Sequence, residues 1–337
     1  MLDVLFLTQS GETLPSVRFR VLPYVRNAGL RGRSASWKPV PKTLVGRVPF
    51  YALLPKARTI VLQKKIVSPQ ELRLLRRKCL KLAFDFDDAL WTCHPNVPQG
   101  RAREKKCAKA WERLQAVCSG VDLVLAGNMF LAQKVRSFSD RLEVLPTPID
   151  TDVYAPDSGP SAAFPASPDD KVTVGWMGTS CNLFFLPDVF KMLSPLAKDT
   201  QFLVVSDEPY SFPKDFSHAA FLRWSPDLEV LHLREMDIGL MPLTNDEYTR
   251  GKCGFKLLQY MACGVVPVAS DVGFNREIIT HSEDGFLVRH PSEWIRYVGL
   301  LAKDADLRGK MAEKARHKVV ERFSLAQAAE KLWGILG

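Results

Sequence analysis

Short runs of Val, Ile, Leu and Phe, each followed by a polar turn and a helix-spaced stretch, recur along the 337 residues and constrain the fold more than any other feature. VLFLT (4–8) leads through SGETLPS into RFRVLPYVRNAGL, where Phe19, Leu22, Val25 and Leu30 are spaced for one helix face. TIVLQKKIV (59–67) repeats the strand signal. SPQELRLLRRKCLKLAF then reads as helix, with Ser68 as N-cap, Pro69 at the first position and Glu71 three residues into it. The next strand enters AFDFDDALW, and VDLVLAGN (121–128), the helical FLAQKVRSF and RLEVLPTPID (141–150) continue the pattern. Strands separated by helices pair in parallel, so the expectation is an α/β fold built from βαβ units.

The alternation restarts after a change of composition. APDSGPSAAFPASPDD (155–170) has no apolar period and reads as a linker. Beyond it come VTVGWMG, a helix around LPDVFKMLSPLA, QFLVVSD, AAFLRWS, a helix around LEVLHLRE, DIGLMPL, the helix FKLLQYMACG, VVPVASD, REIIT and GFLV, and then helices in the tail. The length suits two domains. The expected division is residues 1–154, a linker at 155–170, a second domain at 171–320, and a C-terminal helix at 321–337 that returns to the first domain.

Charge is unevenly spread. Residues 1–120 hold 23 Lys and Arg against 8 Asp and Glu, net +15, and the remainder is net −6. A basic half suggests an anionic partner such as a membrane surface, a phosphate-bearing acceptor or nucleic acid. Aromatic residues do not interleave with the basic ones in an RNP-like pattern, which argues against nucleic acid. The helix reading ELRLLRRKCLKL would put Leu72, Leu75, Cys79 and Leu82 on one stripe and its cations elsewhere; this is either the wet face of a domain helix or a contact for anionic lipid. No apolar run approaches the ~20 residues of a membrane span. The N-terminus lacks a basic region ahead of its short apolar stretch, so it reads as a first strand and the expected location is the cytoplasm, with a peripheral association on its membrane face. Seven cysteines lack CxxC spacing and are expected to stay reduced.

The densest motif is GKCGFKLLQYMACGVVPVASDVGFNREII. Gly251 and Gly254 precede a helix that starts near Phe255 and ends at Gly264, a strand follows, and Gly273 opens a turn into a helix near Asn275. A glycine loop opening a helix offers backbone N–H groups and a positive dipole end to an anion, and Lys252 and Lys256 add formal charge. That arrangement suits a diphosphate leaving group.

The order of these pieces resembles the donor signature of family 4 (group 1) glycosyltransferases of the GT-B fold: LLQYMACG, PVAS, then DVGFNRE. VGWMGTSCN, LPTPIDTDVYAP, DGFLV and LRGKMAEKARHKVVERFS extend the resemblance over the whole chain. It implies two Rossmann-like domains facing each other across a cleft, the first binding a glycan or lipid-linked acceptor and the second a nucleotide-diphospho-sugar. It also implies transfer with retention of configuration, no metal, and no cofactor beyond the donor as co-substrate. On this basis Gly178, Thr179, Ser180, Arg250, Lys252, Gly254, Phe255, Lys256 and Gln259 are the donor-binding candidates. Two departures stand out. Gln259 replaces the helix glutamate of the family, and eight positions earlier, where many members have a second glutamate, stands Gly251. The turn after Gly178 also carries Thr179, Ser180, Cys181 and Asn182 where the family often offers Arg and Lys, so the diphosphate charge is expected from Arg250, Lys252 and above all Lys256.

In the first half, Gly11, Ser16 and Arg18 follow the first strand at the carboxyl edge where open parallel sheets bind ligands, and are the acceptor-side candidates. FDFDDALW gathers Asp85, Asp87 and Asp88 at a strand end; crowded carboxylates need a cation, a metal or backbone donors. Asp87, Asp88, His94 and Lys256 are the catalytic candidates, with Asp85 as a structural cap. Two other readings stay open: a nucleotide-sugar-binding or scaffolding protein with weakened catalysis, suggested by the lost glutamates, and a membrane-surface or nucleic-acid binder acting through the basic half.

Overall fold

The computed structural model describes residues 1–156 and 171–337; most of the expected linker, residues 157–170, lies outside them. In chain order the elements are β1 (Leu2–Thr8), α1 (Pro15–Arg20), α2 (Leu22–Asn27), β2 (Ala35–Pro39), α3 (Leu44–Ala52), β3 (Ala57–Gln63), α4 (Pro69–Arg76), β4 (Cys79–Phe86), α5 (Arg101–Ser119), β5 (Leu123–Ala126), α6 (Met129–Val135) and β6 (Leu142–Val144). The series continues with β7 (Thr173–Met177), α7 (Leu186–Leu193), β8 (Gln201–Ser206), β9 (Ala219–Arg223), α8 (Glu229–Arg234), β10 (Ile238–Met241) and α9 (Glu247–Arg250). It closes with α10 (Phe255–Ala262), β11 (Val266–Ser270), α11 (Asn275–Ile278), β12 (Phe286–Val288), α12 (Glu293–Lys303), α13 (Ala305–Phe323) and α14 (Leu325–Leu336).

The chain forms two compact units. One is Met1–Pro148 with Asp246–Cys253 and Leu325–Gly337; the other is Ile149–Asn245 with Gly254–Ser324. Each holds a six-stranded sheet, in the order β2-β1-β3-β4-β5-β6 in the first and β12-β11-β10-β7-β8-β9 in the second. All recorded strand pairs in both are parallel. Each unit is therefore a Rossmann-like domain, as the strand–helix alternation predicts.

The sheets are buried on both faces, so their strands read as continuous apolar runs. In the first unit, Leu5, Leu7, Ile60, Leu62, Phe84 and Phe86 point to one side, and Val4, Phe6, Val61, Ala83, Leu123 and Leu125 to the other. The second side is covered by α1, α2 and α14, the last burying Leu325, Ala329, Leu332, Trp333, Ile335 and Leu336.

Two helices differ from the expectation. The stretch after β1 breaks into α1 and α2 at Val21, where Pro23 at the start of α2 supplies no N–H to continue the first helix. The buried face becomes Val17, Val21, Leu22, Tyr24 and Ala28, while Leu30 is 85% exposed. Helix α4 starts as read, with a Ser68–Glu71 capping box, but ends at Arg76. Cys79 and Leu82 belong to β4, which needs them to pair with Ala57 and Ile60 of β3. The stripe Leu72, Leu75, Cys79, Leu82 is thus no helix face, and the amphipathic helix contains only its first half.

Candidate functional site

In the first unit the ends of β3 and β4 assemble a charged cluster. Lys64 follows β3 with a positive φ of 52° and donates its N–H to the Asp85 carbonyl at 2.7 Å, an uncommon backbone state for a residue with a side chain. Its turn carries the ammonium back over the strand ends. There Nζ donates to Ser16 Oγ at 3.1 Å, lies 3.2 Å from Asp87 Oδ1, and donates to Asp88 Oδ2. Burial alone would raise the Asp87 carboxyl; the charges of Lys64 and Arg20 and the Ser16 hydroxyl more than offset it and hold the group below the usual carboxylate range. Burial works against the Lys64 ammonium, yet the charges of Asp87 and Asp88 push its pKa up, so it stays protonated.

Asp85 is held by a different cation. Arg20 is buried and forks onto it, Nε at 2.8 and 3.0 Å and Nη2 at 2.6 Å, with Nη1 donating to Thr147 at 3.3 Å. Burial pushes the Asp85 carboxyl up, and the bidentate guanidinium supplies the charge that a buried carboxylate requires. The cations these carboxylates need therefore come from Arg20 and Lys64, both outside the expected site residues. Among the described residues, no group of three or more His, Cys, Asp or Glu side chains is placed to hold a metal ion.

Ser16 thus joins Asp87 and Asp88 through Lys64. Gly11 stands in the open loop after β1, with nothing within 4 Å of where a Cβ would project. Arg18 lies 4.3 Å from the centroid of its neighbour Phe19. His94, in the turn after β4, accepts the Asn96 N–H at Nδ1 and packs edge-on to Tyr248 at 5.2 Å.

Arg250 and Lys252 also belong to this unit. The Asn128 side chain caps α6 through Oδ1, and its Nδ2 faces the carbonyls of Arg250, Gly251 and Lys252 at 3.1 to 3.4 Å. Cys253 Sγ lies 3.3 Å from the Asp87 carbonyl, and a Cβ on Gly127 would meet that sulfur at 2.4 Å. A Cβ on Gly251 would meet Ala89 Cβ at 2.6 Å and its backbone N at 2.8 Å. The segment is pressed too closely onto the loop after β4 for any side chain at 251. Lys252 rests its ammonium 4.6 Å from the Tyr248 ring centroid, and Arg250 is exposed. Beside them a cavity of about 510 Å³ is lined by Trp91, Trp111, Tyr248, Glu247 and the thiols of Cys93 and Cys107, whose sulfurs are 3.1 Å apart.

The remaining donor candidates lie in the second unit. Helix α10 begins at Gly254, whose φ of 61° is a left-handed entry open to glycine, and Phe255 is its first residue. Lys256 and Tyr260 are one turn apart on one face. Tyr260 is buried against β7 and β10, its hydroxyl accepting the Met177 N–H at 3.0 Å and donating to the Leu240 carbonyl at 3.3 Å. This fixes Lys256 over the carboxyl end of β7, with Nζ 4.1 Å from the Trp176 ring centroid. A Cβ on Gly178 would lie 2.4 Å from that Nζ and 2.7 Å from the Trp176 ring, so the glycine leaves the lysine its path. Thr179 and Ser180 follow at once, and Ser180 donates its N–H to Asp207 at 2.6 Å and its hydroxyl at 3.1 Å. Burial would raise Asp207; these hydrogen bonds hold it low.

Gln259 is buried and donates Nε2 to Glu229 at 2.7 Å. Glu229, only 2% exposed, also accepts from Trp224 Nε1 at 2.7 Å and from the Tyr154 hydroxyl. The carboxylate next to the helix position thus comes from α8, thirty residues earlier. Sequence reading missed it because Glu229 falls in a helix with no visible link to Gln259. The structure therefore brings Gly178, Lys256 and the Thr179–Ser180 turn together in one unit, and Ser16, Asp87, Asp88, Arg250 and Lys252 in the other.

Residues 171–304, most of that second unit, match the family model described as glycosyl transferases group 1. That part of the chain resembles group 1 glycosyltransferases. Among curated proteins none matches the sequence. Among solved structures, HepE of Anabaena in complex with UDP-glucose is 14% identical with a TM-score of 0.70, covering 100% of this chain and 99% of its own. Sucrose-phosphate synthase from Thermosynechococcus elongatus is 13% identical at a TM-score of 0.74, covering 99% and 98%. A glycosyltransferase from Rickettsia africae is 13% identical at 0.71, covering 99% and 98%. The match to that family model and these neighbours give the fold as GT-B.

Proposed function

We propose that this protein is a glycosyltransferase that transfers a sugar from a nucleotide-diphospho-sugar to a hydroxyl acceptor, with retention of configuration and without a metal. The observation that carries the reading is Lys256, held by α10 over the end of β7 beside Gly178, in the unit that matches the family. The nucleotide sugar in the HepE complex is consistent with it. The acceptor oxygen bonds to the anomeric carbon as its bond to the diphosphate breaks, and the acceptor proton passes to the leaving phosphate. A fixed cation at the diphosphate gains most from the charge that develops there, so Lys256 lowers the barrier more than it tightens ground-state binding.

On this reading Gly178, Thr179, Ser180, Gly254, Phe255 and Gln259 shape the donor site around Lys256 in the second unit. The first unit takes a glycan or lipid-linked acceptor through Gly11, Ser16 and Arg18, with Asp87, Asp88 and His94 orienting its hydroxyl. A donor panel of UDP-, GDP- and ADP-sugars tests the proposal, with the anomer of the product read by NMR and transfer repeated in EDTA. Nucleotide binding without hydrolysis or transfer for any donor would favour the second reading, a nucleotide-sugar-binding protein, for which Gly251 and Gln259 in place of two acids are the specific observation. An inverted product, or activity abolished by EDTA, removes retention or metal independence respectively.

A further inference from the structure

From Thr13 to Gln70 the sequence holds twelve Lys and Arg and no Asp or Glu. Helix α3 lies inside this stretch, and although Tyr51 and Phe50 pack into the core, its outward side is apolar too. Its inward side carries the polar anchors: the buried Tyr51 hydroxyl donates to Glu71 Oε1 at 2.9 Å and Arg47 Nη1 to the same oxygen at 3.2 Å. The rest of the Arg47 guanidinium donates to the carbonyls of Pro41 and Lys42 at 2.9 and 3.0 Å. The helix's one cation is thereby taken up at its base. The outward side is Leu44, Val45, Val48, Pro49 and Ala52, spaced i, i+1, i+4, i+5 and i+8, all exposed and none charged. Leu44 is 68% exposed, Val45 88% and Val48 59%, and Leu53 just beyond the helix is 84% exposed.

Single exposed apolar residues need no account, but a contiguous set on one helix face does. This set is flanked by exposed Lys38 and Lys42 before the helix and Lys56 after it. An apolar helix face that offers no hydrogen-bonding side chain, flanked by exposed lysines in a stretch without Asp or Glu from Thr13 to Gln70, matches a surface that is apolar below and anionic above. We infer that α3 docks on an anionic lipid bilayer, its apolar face entering the headgroup boundary while Lys38, Lys42 and Lys56 meet lipid phosphates. Among the described residues no helix is long and apolar enough to cross a membrane, so the association is with the surface. The inference does not rest on the transfer reaction and holds for a protein without turnover.

The test is co-sedimentation of the full chain with vesicles of phosphatidylcholine alone or mixed with phosphatidylglycerol, at rising salt. The expected result is binding to the anionic vesicles, roughly tenfold or more weaker on phosphatidylcholine, and weakening with salt. Val45→Asp with Val48→Asp removes binding by roughly tenfold or more at a nearly unchanged melting temperature, because both side chains are mostly exposed. Lys42→Gln with Lys56→Gln weakens it several-fold and flattens the salt dependence. Absence of binding at low salt, equal binding to both vesicles, or full binding by the Asp variant overturns the inference. So does a wild-type dimer that the Asp variant dissociates while vesicle binding is unchanged, which would assign the face to a second copy.

Discussion

The glycine at 251 and the glutamine at 259 occupy the two positions where many family members carry glutamates, and packing accounts for both. A side chain at 251 runs into the backbone of Ala89. A carboxylate at 259 would face Glu229, which already sits 2.7 Å from the Gln259 amide. Restoring the family residues should therefore damage this chain. Gly251→Glu is expected to cost more than about 2 kcal/mol in urea unfolding, as overpacking against backbone does. Gln259→Glu replaces a donor with a like charge, which raises the folded-state pKa of the new carboxyl above its unfolded value. Its deficit relative to wild type should be small at low pH, grow as pH rises from the usual carboxylate pKa towards that raised value, and level off above it; a deficit independent of pH would reject the account. Asp87 has the opposite sign. Its pKa is held down by Lys64, Arg20 and Ser16 against the effect of burial, so its contribution is present above the usual carboxylate pKa of about 3.9 and lost as pH falls through the lower folded value. Acid titration of wild type and Asp87→Asn should show their stabilities converging at low pH.

Among the strands, the strongest signals in the sequence came from those buried on both sides, although the half-buried edge strands β6 and β9 were also read. β1, β3, β5, β7, β8, β10 and β11 are continuous apolar runs because helices cover both faces of their sheets. β2 was missed: it is an edge strand reading ASWKP, half-buried, and carries no apolar run. The end of α4 was misplaced because its cations continue without a break into β4, and the pairing of Cys79 with Ala57 that ends the helix is a tertiary fact. The return of α14 to the first unit carries a measurable consequence. Five large apolar side chains of this helix, Leu325, Leu332, Trp333, Ile335 and Leu336, are buried there, and at about 1.5 to 3 kcal/mol each their exposure rivals the 5 to 15 kcal/mol stability of a whole domain. A stop after Ser324 should leave the first unit unfolded or aggregating, read as loss of cooperative melting and early proteolysis within residues 1–148. A truncated chain that melts as wild type does would show that the helix is dispensable.

At the scale of the whole molecule, the candidate site was legible where it is local and invisible where it is not. The Gly254–Lys256 turn and the carboxylates after β4 could be read from neighbouring residues. Arg20 with Asp85, and Glu229 with Gln259, lie 65 and 30 residues apart and leave no mark in spacing. The same limit hid the division of Arg250 to Lys256: the sequence reads as one basic loop, yet Arg250 and Lys252 fold with the first unit and Lys256 with the second. This division makes the role of Lys256 separable from the rest of that loop. A ligand that binds only the folded chain stabilises it by RT ln(1 + [L]/Kd), about 2.7 kcal/mol at a hundred times Kd, which raises the melting temperature by several degrees. With the preferred nucleotide, the diphosphate should therefore give a larger shift than the monophosphate. Lys256→Ala should erase that difference while retaining the nucleoside-dependent part. Equal loss of the diphosphate and monophosphate shifts in the Lys256 variant would remove this lysine from the phosphate site and assign the charge to groups elsewhere in the unit.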